Sequence, residues 1–279
     1  MNDQPLVIYH AACPDGFTSA WVAASALGKV ELFEGKHGEK PPLKLAMRRE
    51  VYVLDFSYAR PQLESLNTVA GELTVIDHHL TAEADLKGLP YCEFDMNRSG
   101  AGMTWDHFHP KEERPWLVDY VEDRDLWRFE LPNSEEISLR IRCQPMKLDA
   151  WDALLKAGKD QALEEGRGAK LHLDHYVRVA LRNMYTLPDV HEGLSAACVN
   201  VSYEGVSDVL HAALEQSGLK LALAWCLTKG GELACSARST DDVDCSVFAK
   251  TMGGGGHAQA SGFSLAMDHP MARRLLEQK

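Results

Sequence analysis

Several features that would classify a sequence at once are missing from this chain of 279 residues. It has no CxxC pair, and its seven cysteines are an odd number at scattered positions, which fits neither a disulfide framework nor a zinc knuckle. No apolar run approaches the ~18 residues of a membrane-spanning helix. The N-terminal MNDQPLVIYH also lacks the basic region and apolar stretch of a signal peptide. We therefore expect reduced thiols in a soluble, cytoplasmic protein with no membrane partner.

Positive charge is also scarce. The chain has 29 Lys and Arg against 41 Asp and Glu, which gives a formal net charge of −12. Because affinity for a duplex depends on basic side chains that displace condensed counterions, this balance argues against long duplex nucleic acid as a partner. A small phosphorylated ligand on a local basic patch is compatible with it, and concentrated carboxylates would suit divalent cations.

Short apolar runs open the sequence, at residues 6–10, 51–55 and 73–77, and each ends in an ionisable residue. Runs this short and rich in β-branched residues predict buried parallel strands. Helical patterns at 17–27 and 61–70 lie between them, so the fold class is α/β with a parallel sheet. Ligands of such sheets bind beyond the carboxyl ends of the strands, where His10, Asp55 and Asp77 fall.

The remaining pattern predicts helices over 103–131, with a turn near Pro110, and over 149–185, followed by a break at Leu187 and Pro188. A smaller α/β unit follows, with strands at 195–201, 221–227, 233–238 and 260–265 and helices at 206–216 and 244–252. A glycine-rich turn at 253–256 precedes the last strand. The predicted organisation is a first domain over 1–145, a helical linker over 146–188 and a second domain over 189–279.

Metal-competent side chains concentrate in four segments: HAACPDG (10–16), LDF (54–56), IDHHL (76–80) and YVEDRDLW (120–127). Each alone has an ordinary explanation as a helix cap, a buried histidine or a solvated face. Three of the four, however, fall at the same edge of one predicted sheet. Several Asp together with His indicate a pair of transition-metal ions that share a bridging carboxylate. Two such ions ~3.5–4 Å apart activate water for attack at phosphorus, which is phosphoester hydrolysis.

The Asp77-His78-His79 triplet after an apolar strand resembles the signature of the DHH phosphoesterase superfamily, and GGGGHAQASGF (253–263) is similar to the glycine-rich motif of its DHHA1 domain. The resemblance implies a parallel-sheet DHH domain joined by the helical linker to a smaller α/β DHHA1 domain, and two Mn2+ ions as cofactors. It also implies the catalytic residues Asp55, Asp77, His78 and His79, with His79 at the scissile phosphate. The implied metal ligands are His10, Asp15, Asp55 as the bridge, Asp77, His78 and Asp123, with Asp125 the less favoured candidate for the last position.

One departure from the superfamily pattern concerns the first metal motif. That motif is usually H-x-D-x-D-G, but here Cys13 stands where an Asp is expected and His10 lies one residue further upstream. Either Cys13 or a water fills the gap, or the first metal site is weakened. A thiolate there would favour softer metals than manganese.

The substrate-binding set comes mainly from the second domain. Glycines bring backbone N–H groups against an anion without Cβ interference, and an arginine can hold a phosphate bidentately. With the resemblance, this set contains Arg238, Ser239, Gly255, Gly256 and His257. Arg98 is a lesser candidate, beside Ser99 as a helix cap.

The predicted function is hydrolysis of phosphodiester or phosphomonoester bonds in short nucleotides: oligoribonucleotides, dinucleotides or nucleoside bisphosphate. The partner is thus a short nucleotide substrate, and a homodimer is possible. One alternative is an inorganic pyrophosphatase or polyphosphatase, which pairs the DHH domain with a different C-terminal domain. A second is a non-catalytic nucleotide-binding module with a degenerate metal site.

Overall fold

Short strands rich in β-branched residues form the centre of the first of two units. The computed structural model describes residues 4–277, and the chain divides into units of residues 1–170 and 171–279, a division that lies within the predicted linker range. In the first unit five strands pair in the order β2-β1-β3-β4-β5, all in parallel. Their bounds are β1 (Leu6–His10), β2 (Glu31–Gly35), β3 (Glu50–Leu54), β4 (Glu72–Asp77) and β5 (Cys92–Phe94). The predicted α/β class with a parallel sheet is confirmed.

Both faces of this sheet are covered, because alternate residues of each strand point to opposite sides. Val7 and Tyr9 belong to one apolar cluster, and Leu6 and Ile8 to another on the other face. The helices along this part of the chain are α1 (Pro14–Leu27), α2 (Leu43–Ala46), α3 (Arg60–Val69), α4 (Leu80–Leu86), α5 (Gly100–Phe108), α6 (Trp116–Asp125), α7 (Ser134–Arg142), α8 (Leu148–Ala157) and α9 (Lys159–Ala180). The predicted single helical stretch over 149–185 is wrong in one respect: Gly158, at φ +89°, separates α8 from α9.

The second unit is built on a mixed sheet of six strands in the order β10-β11-β9-β8-β7-β6. Its elements are a 3-10 turn (Leu181–Asn183), β6 (Tyr185–His191), β7 (Leu194–Asn200), α10 (Val206–Ser217), β8 (Leu221–Leu227), β9 (Glu232–Ser239), α11 (Cys245–Thr251), β10 (Gly255–Gly256), β11 (Ala260–Ala266) and α12 (Pro270–Glu277). One apolar cluster packs the sheet against α11 and α12, and another packs it against α10.

The predicted break at Leu187 and Pro188 is wrong, because both residues lie in β6. Proline lacks a backbone N–H and is tolerated in a strand at an edge or a bulge. β6 is an edge strand, and its register with β7 shifts between Leu187 and His191. None of the helices in residues 4–277 combines the length and apolarity that crossing a bilayer requires.

Candidate metal centre

Asp55 occupies the middle of a cluster of imidazoles and carboxylates at the carboxyl edge of the first sheet. It follows β3 directly, with its backbone in the left-handed region at φ +53° and its amide bonded to the carbonyl of Ile76, 2.9 Å away. Its buried carboxylate has Oδ2 3.3 Å from Nδ1 of His10 and Oδ1 3.1 Å from Nε2 of His78. The two oxygens therefore face two different imidazoles, so this carboxylate is within reach of ligand atoms on both sides of the cluster.

Asp15, in the first turn of α1, belongs to one side of this cluster. Its carboxylate is buried and accepts hydrogen bonds from the amides of Gly100, at 2.6 Å, and Ala101, at 2.9 Å. Oδ2 lies 3.7 Å from Nε2 of His78. Ligand atoms of Asp15, Asp55 and His78 fall within 4.8 Å of one another, so these three residues form one metal-competent group.

The start of α5 reaches this group only because residue 100 is glycine. A Cβ built on Gly100 would lie 2.5 Å from Cβ of Asp55 and 3.0 Å from Oδ2 of Asp15. The predicted cap is also present, since the side chain of Ser99 accepts from the amide of Gly102 at 3.1 Å. The N-terminus of α5 thus holds the Asp15 carboxylate in place through two backbone amides.

Asp125, the less favoured candidate for the last metal position, approaches the cluster. Oδ2 of Asp125 lies 3.5 Å from Nε2 of His78. The Asp123 carboxylate instead accepts from the amides of Glu130, at 2.9 Å, and Leu131, at 3.4 Å, and from the hydroxyl of Ser134. These contacts do not support the prediction that Asp123 closes the second metal site. Asp123 organises the loop between α6 and α7, and α6 directs only its last residue, Asp125, into the cluster.

His10, Cys13 and Asp55 form a second group whose ligand atoms lie within 4.8 Å of one another. Cys13 precedes the first turn of α1, and this turn packs against β1 because residue 16 is glycine. A Cβ built on Gly16 would lie 2.6 Å from the carbonyl oxygen of His10 and 2.7 Å from its Cβ. Asp55 therefore belongs to this group as well as to the group with Asp15 and His78.

Asp77 holds His79 in a fixed orientation. Oδ1 of Asp77 accepts from Nδ1 of His79 at 2.6 Å and from the amides of His78 and His79 at 2.7 and 3.2 Å. Ser57 donates to Oδ2 at 2.5 Å. These bonds fit Asp77 as the residue that orients His79, although Asp55, Asp77 and His79 also form a group with ligand atoms within 4.8 Å.

The electrostatics of the cluster favour a cation. Burial raises the pKa of Asp15 well above its ordinary value, and the neighbouring Asp55 and Asp125 carboxylates add to that shift. Despite burial, hydrogen bonds from His10 and His78 hold the pKa of Asp55 well below its ordinary range. Burial opposes charge on His78, but the bond to Asp55 and the fields of Asp125 and Asp15 outweigh it and raise its pKa. Three crowded carboxylates with imidazole neighbours are a donor set that fits divalent metal ions.

His37 is a neighbour of this cluster that the sequence did not indicate. Its ring centroid lies 5.3 Å from that of His10, 6.2 Å from that of His79 and 4.9 Å from that of Phe56. Desolvation against these rings, with His10 and His79 adding to it, lowers the pKa of His37 to about 4. Its side chain also has a solvent-exposed part. The signal that would have found it is β2, which ends at Gly35 beside His10 and carries the chain to His37.

Comparison with known proteins finds one relative in sequence and several solved structures with a similar fold. No model of a known protein family matches the chain. An uncharacterized protein of Acanthamoeba polyphaga mimivirus is 28% identical over 284 residues, covering 94% of this chain and 67% of that protein. A solved DHH domain, described as coming from a member of a family of ribosomal proteins, superposes with a TM-score of 0.66 at 13% identity, covering 99% of this chain and 85% of that one. The fold is that of the DHH family.

Two further DHH-family structures are similar in fold. RecJ of Thermus thermophilus, solved with Mn2+, has a TM-score of 0.57 at 14% identity, and the match covers 98% of this chain but 51% of RecJ. The pGpG-specific phosphodiesterase PggH of Vibrio cholerae has a TM-score of 0.51 at 12% identity, with 99% of this chain and 100% of PggH covered. At these identities the likeness concerns the fold.

The predicted substrate residues of the DHHA1-like unit lie around β9, β10 and β11. Arg238 pairs in register with Ala260, and Gly255 and Gly256 of β10 pair with Gly262 and Ser261. The amide of His257 donates to the carbonyl of Ala260 at 2.8 Å, which closes a tight hairpin. Nη2 of Arg238 donates to the hydroxyl of Ser207 at 2.6 Å.

This hairpin also depends on glycine. A Cβ on residue 256 would lie 2.5 Å from the carbonyl oxygen of Ala260, and Gly256 has φ +138°. The arginine and the glycine hairpin are therefore built on adjacent strands of one sheet.

Two members of the predicted substrate set, Ser239 and Arg98, make contacts within the chain. The hydroxyl of Ser239 donates to the carbonyl of Val243 at 2.6 Å, so it holds a turn. Arg98 pairs with Asp106 at 2.8 Å and approaches Glu122 at 3.4 Å, within a network that includes Arg114. These contacts favour the capping role of the Arg98-Ser99 segment over a contact between Arg98 and phosphate.

Proposed function

We propose that this DHH-fold chain is a metal-dependent phosphoesterase that hydrolyses phosphodiester or phosphomonoester bonds in short nucleotides. The observation that carries the proposal is the position of Asp55, whose two carboxylate oxygens face different imidazoles. This residue is shared by the group with His10 and Cys13 and the group with Asp15 and His78. A shared carboxylate of this kind fits two cations, and two-cation sites hydrolyse phosphoesters.

The residues proposed to hold the cations are His10, Cys13 and Asp55 on one side and Asp15, Asp55, His78 and Asp125 on the other. When bound, such ions make water a nucleophile at neutral pH and neutralise charge on a phosphoryl group. Asp77 fixes the ring of His79 through Nδ1, and we assign His79 to the scissile phosphate. The Gly100 and Ala101 amides hold the Asp15 carboxylate in place, so it does not need to reorganise when a cation binds.

The proposed substrate is a short nucleotide rather than a long nucleic acid. The net charge of −12 supports this choice, because long single strands require an extended basic channel. Arg238 and the glycine hairpin of the second unit are assigned to the non-reacting phosphate or base. Among the DHH-fold proteins, PggH is described as specific for a linear dinucleotide, which has the size class proposed here.

A substrate panel tests this function. Di- to decanucleotides with 5′-phosphate, a cyclic dinucleotide, a nucleoside bisphosphate and pyrophosphate would be incubated with Mn2+, alone and together with Zn2+ or Co2+, and the products resolved by chromatography. We expect hydrolysis of the short nucleotides with a steep decline as length increases. Cleavage of pyrophosphate alone would identify an inorganic pyrophosphatase, and no cleavage of any compound would identify a binding module; either result would overturn the proposal.

The control for this panel is the Asp55→Asn variant, which removes the shared carboxylate charge while keeping the shape of the side chain. We expect its turnover to fall by more than the ~10–100-fold that a change outside the ligand set costs. Circular dichroism would verify that the variant is folded. Full activity of folded Asp55→Asn would contradict the assignment of the site.

A further inference from the structure

Two metal-competent groups of the first unit differ in their donor atoms. Asp15, Asp55 and His78, with Asp125 nearby, offer carboxylate oxygens and one imidazole. His10, Cys13 and Asp55 offer an imidazole, a sulfur and an oxygen within 4.8 Å of one another. Hard cations such as Mn2+ and Mg2+ prefer oxygen, whereas a thiolate favours softer cations such as Zn2+, Co2+ and Cd2+.

The placement of Cys13 distinguishes it from the other cysteines. The sulfurs of Cys198, Cys235 and Cys245 contact backbone carbonyl oxygens at 3.7 to 3.9 Å inside the second unit. Cys143 is exposed on the surface. Among the residues that the structure describes, Cys13 is the cysteine whose sulfur belongs to a metal-competent group.

Local geometry directs the Cys13 sulfur toward His10 and Asp55. Cys13 has an extended backbone at φ −115° and ψ 126°, and its carbonyl accepts from the amide of Phe17 at 2.9 Å, so the residue is fixed as the N-cap of α1. Its side chain makes no capping hydrogen bond to that helix. The close packing of Gly16 against His10 brings this helix start against the end of β1. Burial, together with the Asp55, Asp125 and Asp15 carboxylates, raises the pKa of the Cys13 thiol well above its usual value, so the sulfur becomes a thiolate only when a cation displaces its proton.

We propose that His10, Cys13 and Asp55 form a sulfur-containing site that selects a thiophilic divalent cation, so that the centre binds two different metals. The proposal rests on the metal centre of the proposed function and specifies its composition. Cation binding displaces the thiol proton to solvent and forms a metal–sulfur bond, while the Asp15, His78 and Asp125 side keeps its preference for a hard cation. Asp55 would be the ligand common to both sides.

Titration with Co2+ tests this composition directly, because a sulfur-to-cobalt bond gives an intense near-ultraviolet charge-transfer band that oxygen and nitrogen ligands do not give. We expect the band in the wild-type protein and in Cys143→Ser, a matched variant that loses a thiol elsewhere in the same unit. We expect its loss in Cys13→Ser. Absence of the band in the wild type, or its persistence in Cys13→Ser, would overturn the proposal.

A second variant covers the case in which Cys13→Ser does not fold. Cys13→Asp replaces the sulfur with an oxygen ligand. Because the softer donor is gone, we expect the ratio of Zn2+ to Mn2+ affinity, measured calorimetrically, to fall by ~10-fold or more. An unchanged ratio would contradict thiolate ligation. The cobalt band reports on the site even when no substrate is cleaved, so a folded protein with the band and without turnover would refute the proposed function alone. Turnover without the band would refute this inference alone.

Discussion

At the scale of single residues, two aspartates near the end of α6 have different partners, and we propose that only one of them is a metal ligand. Both Asp123 and Asp125 lie near the end of this helix, and the sequence alone favoured Asp123. The structure distinguishes them by their partners: two backbone amides and a hydroxyl for Asp123, and the His78 imidazole for Asp125. The sequence could not distinguish the two aspartates, because their partners depend on the path of the loop after α6, which folds back onto the Asp123 carboxylate.

Paired substitutions of these two aspartates should have opposite effects. Asp123→Asn removes an acceptor that holds the α6 to α7 loop, and we expect a loss of ~1–3 kcal/mol in the free energy of unfolding with unchanged metal affinity of the folded protein. Asp125→Asn removes a carboxylate from a crowded cluster, and we expect weaker Mn2+ binding with no loss of metal-free stability. Urea unfolding and calorimetric titration would measure both. The reverse pattern would restore Asp123 as the ligand.

His37 offers a second residue-scale prediction. Its ring stands beside His10 and His79 but is not in a metal-competent group of the described residues, so we assign it to substrate. A hydrogen bond to a charged group is worth ~1.5–3 kcal/mol, so His37→Ala should reduce kcat by ~10–100-fold with unchanged Mn2+ affinity.

Two variants serve as comparisons for His37→Ala. His37→Asn retains a hydrogen-bond donor and should recover part of the lost turnover. His107→Ala removes an exposed ring that contacts Tyr52 and Phe108, and it should keep wild-type activity. A drop in metal affinity in His37→Ala would instead make this residue part of the metal centre.

At the scale of elements, the sequence predicted the centre of each sheet better than its edges. The apolar runs of β1, β3 and β4 end where the structure ends them or within one residue, because strands buried on both faces have an unmistakable composition. β2 (ELFEG) and β5 (CEF) were missed, since both are edge strands of mixed polarity. β6 was missed because it contains Pro188, and proline usually marks the end of a strand or a helix. The missed β2 also explains why His37 was overlooked.

The docking of α5 gives a prediction at this scale. Its first residue, Gly100, lies so close to Asp55 that a methyl group cannot fit without moving one of them. Gly100→Ala should therefore lose ~1–3 kcal/mol of stability through overpacking, and it should weaken Mn2+ binding because the amides of residues 100 and 101 shift away from Asp15. Thermal unfolding and metal titration would measure the two effects. Wild-type metal affinity in the variant would show that α5 does not position the ligand.

Helix α9 contains its own matched pair of glycines. A Cβ on Gly166 would lie 2.0 Å from the carbonyl oxygen of Glu136 in α7, whereas nothing lies within 4 Å of one on Gly168. Gly168→Ala should stabilise the protein by ~0.5–1 kcal/mol through lower backbone entropy in the unfolded chain. Gly166→Ala should destabilise it, because the contact between helices must open. Equal effects of the two substitutions in urea unfolding would contradict the close contact between α9 and α7.

At the scale of the whole molecule, we expect metal binding and folding to be coupled through charge. The metal-free protein concentrates buried carboxylates in a chain that already carries a net charge of −12, so a bound cation stabilises the folded state but not the unfolded one. At 100 times the Kd the gain is ~2.7 kcal/mol, which corresponds to a rise in Tm of roughly 5–10 °C. We expect this rise on adding Mn2+ to chelator-treated protein, and its near-complete loss in Asp55→Asn, because that variant removes the ligand common to both groups.

Lys170 and Glu135 form an ion pair at 2.9 Å within the first unit but outside the cluster, so Glu135→Gln should keep the full rise. If Asp55→Asn showed the same rise as Glu135→Gln, the stabilising cation would bind at acidic groups other than the cluster around Asp55.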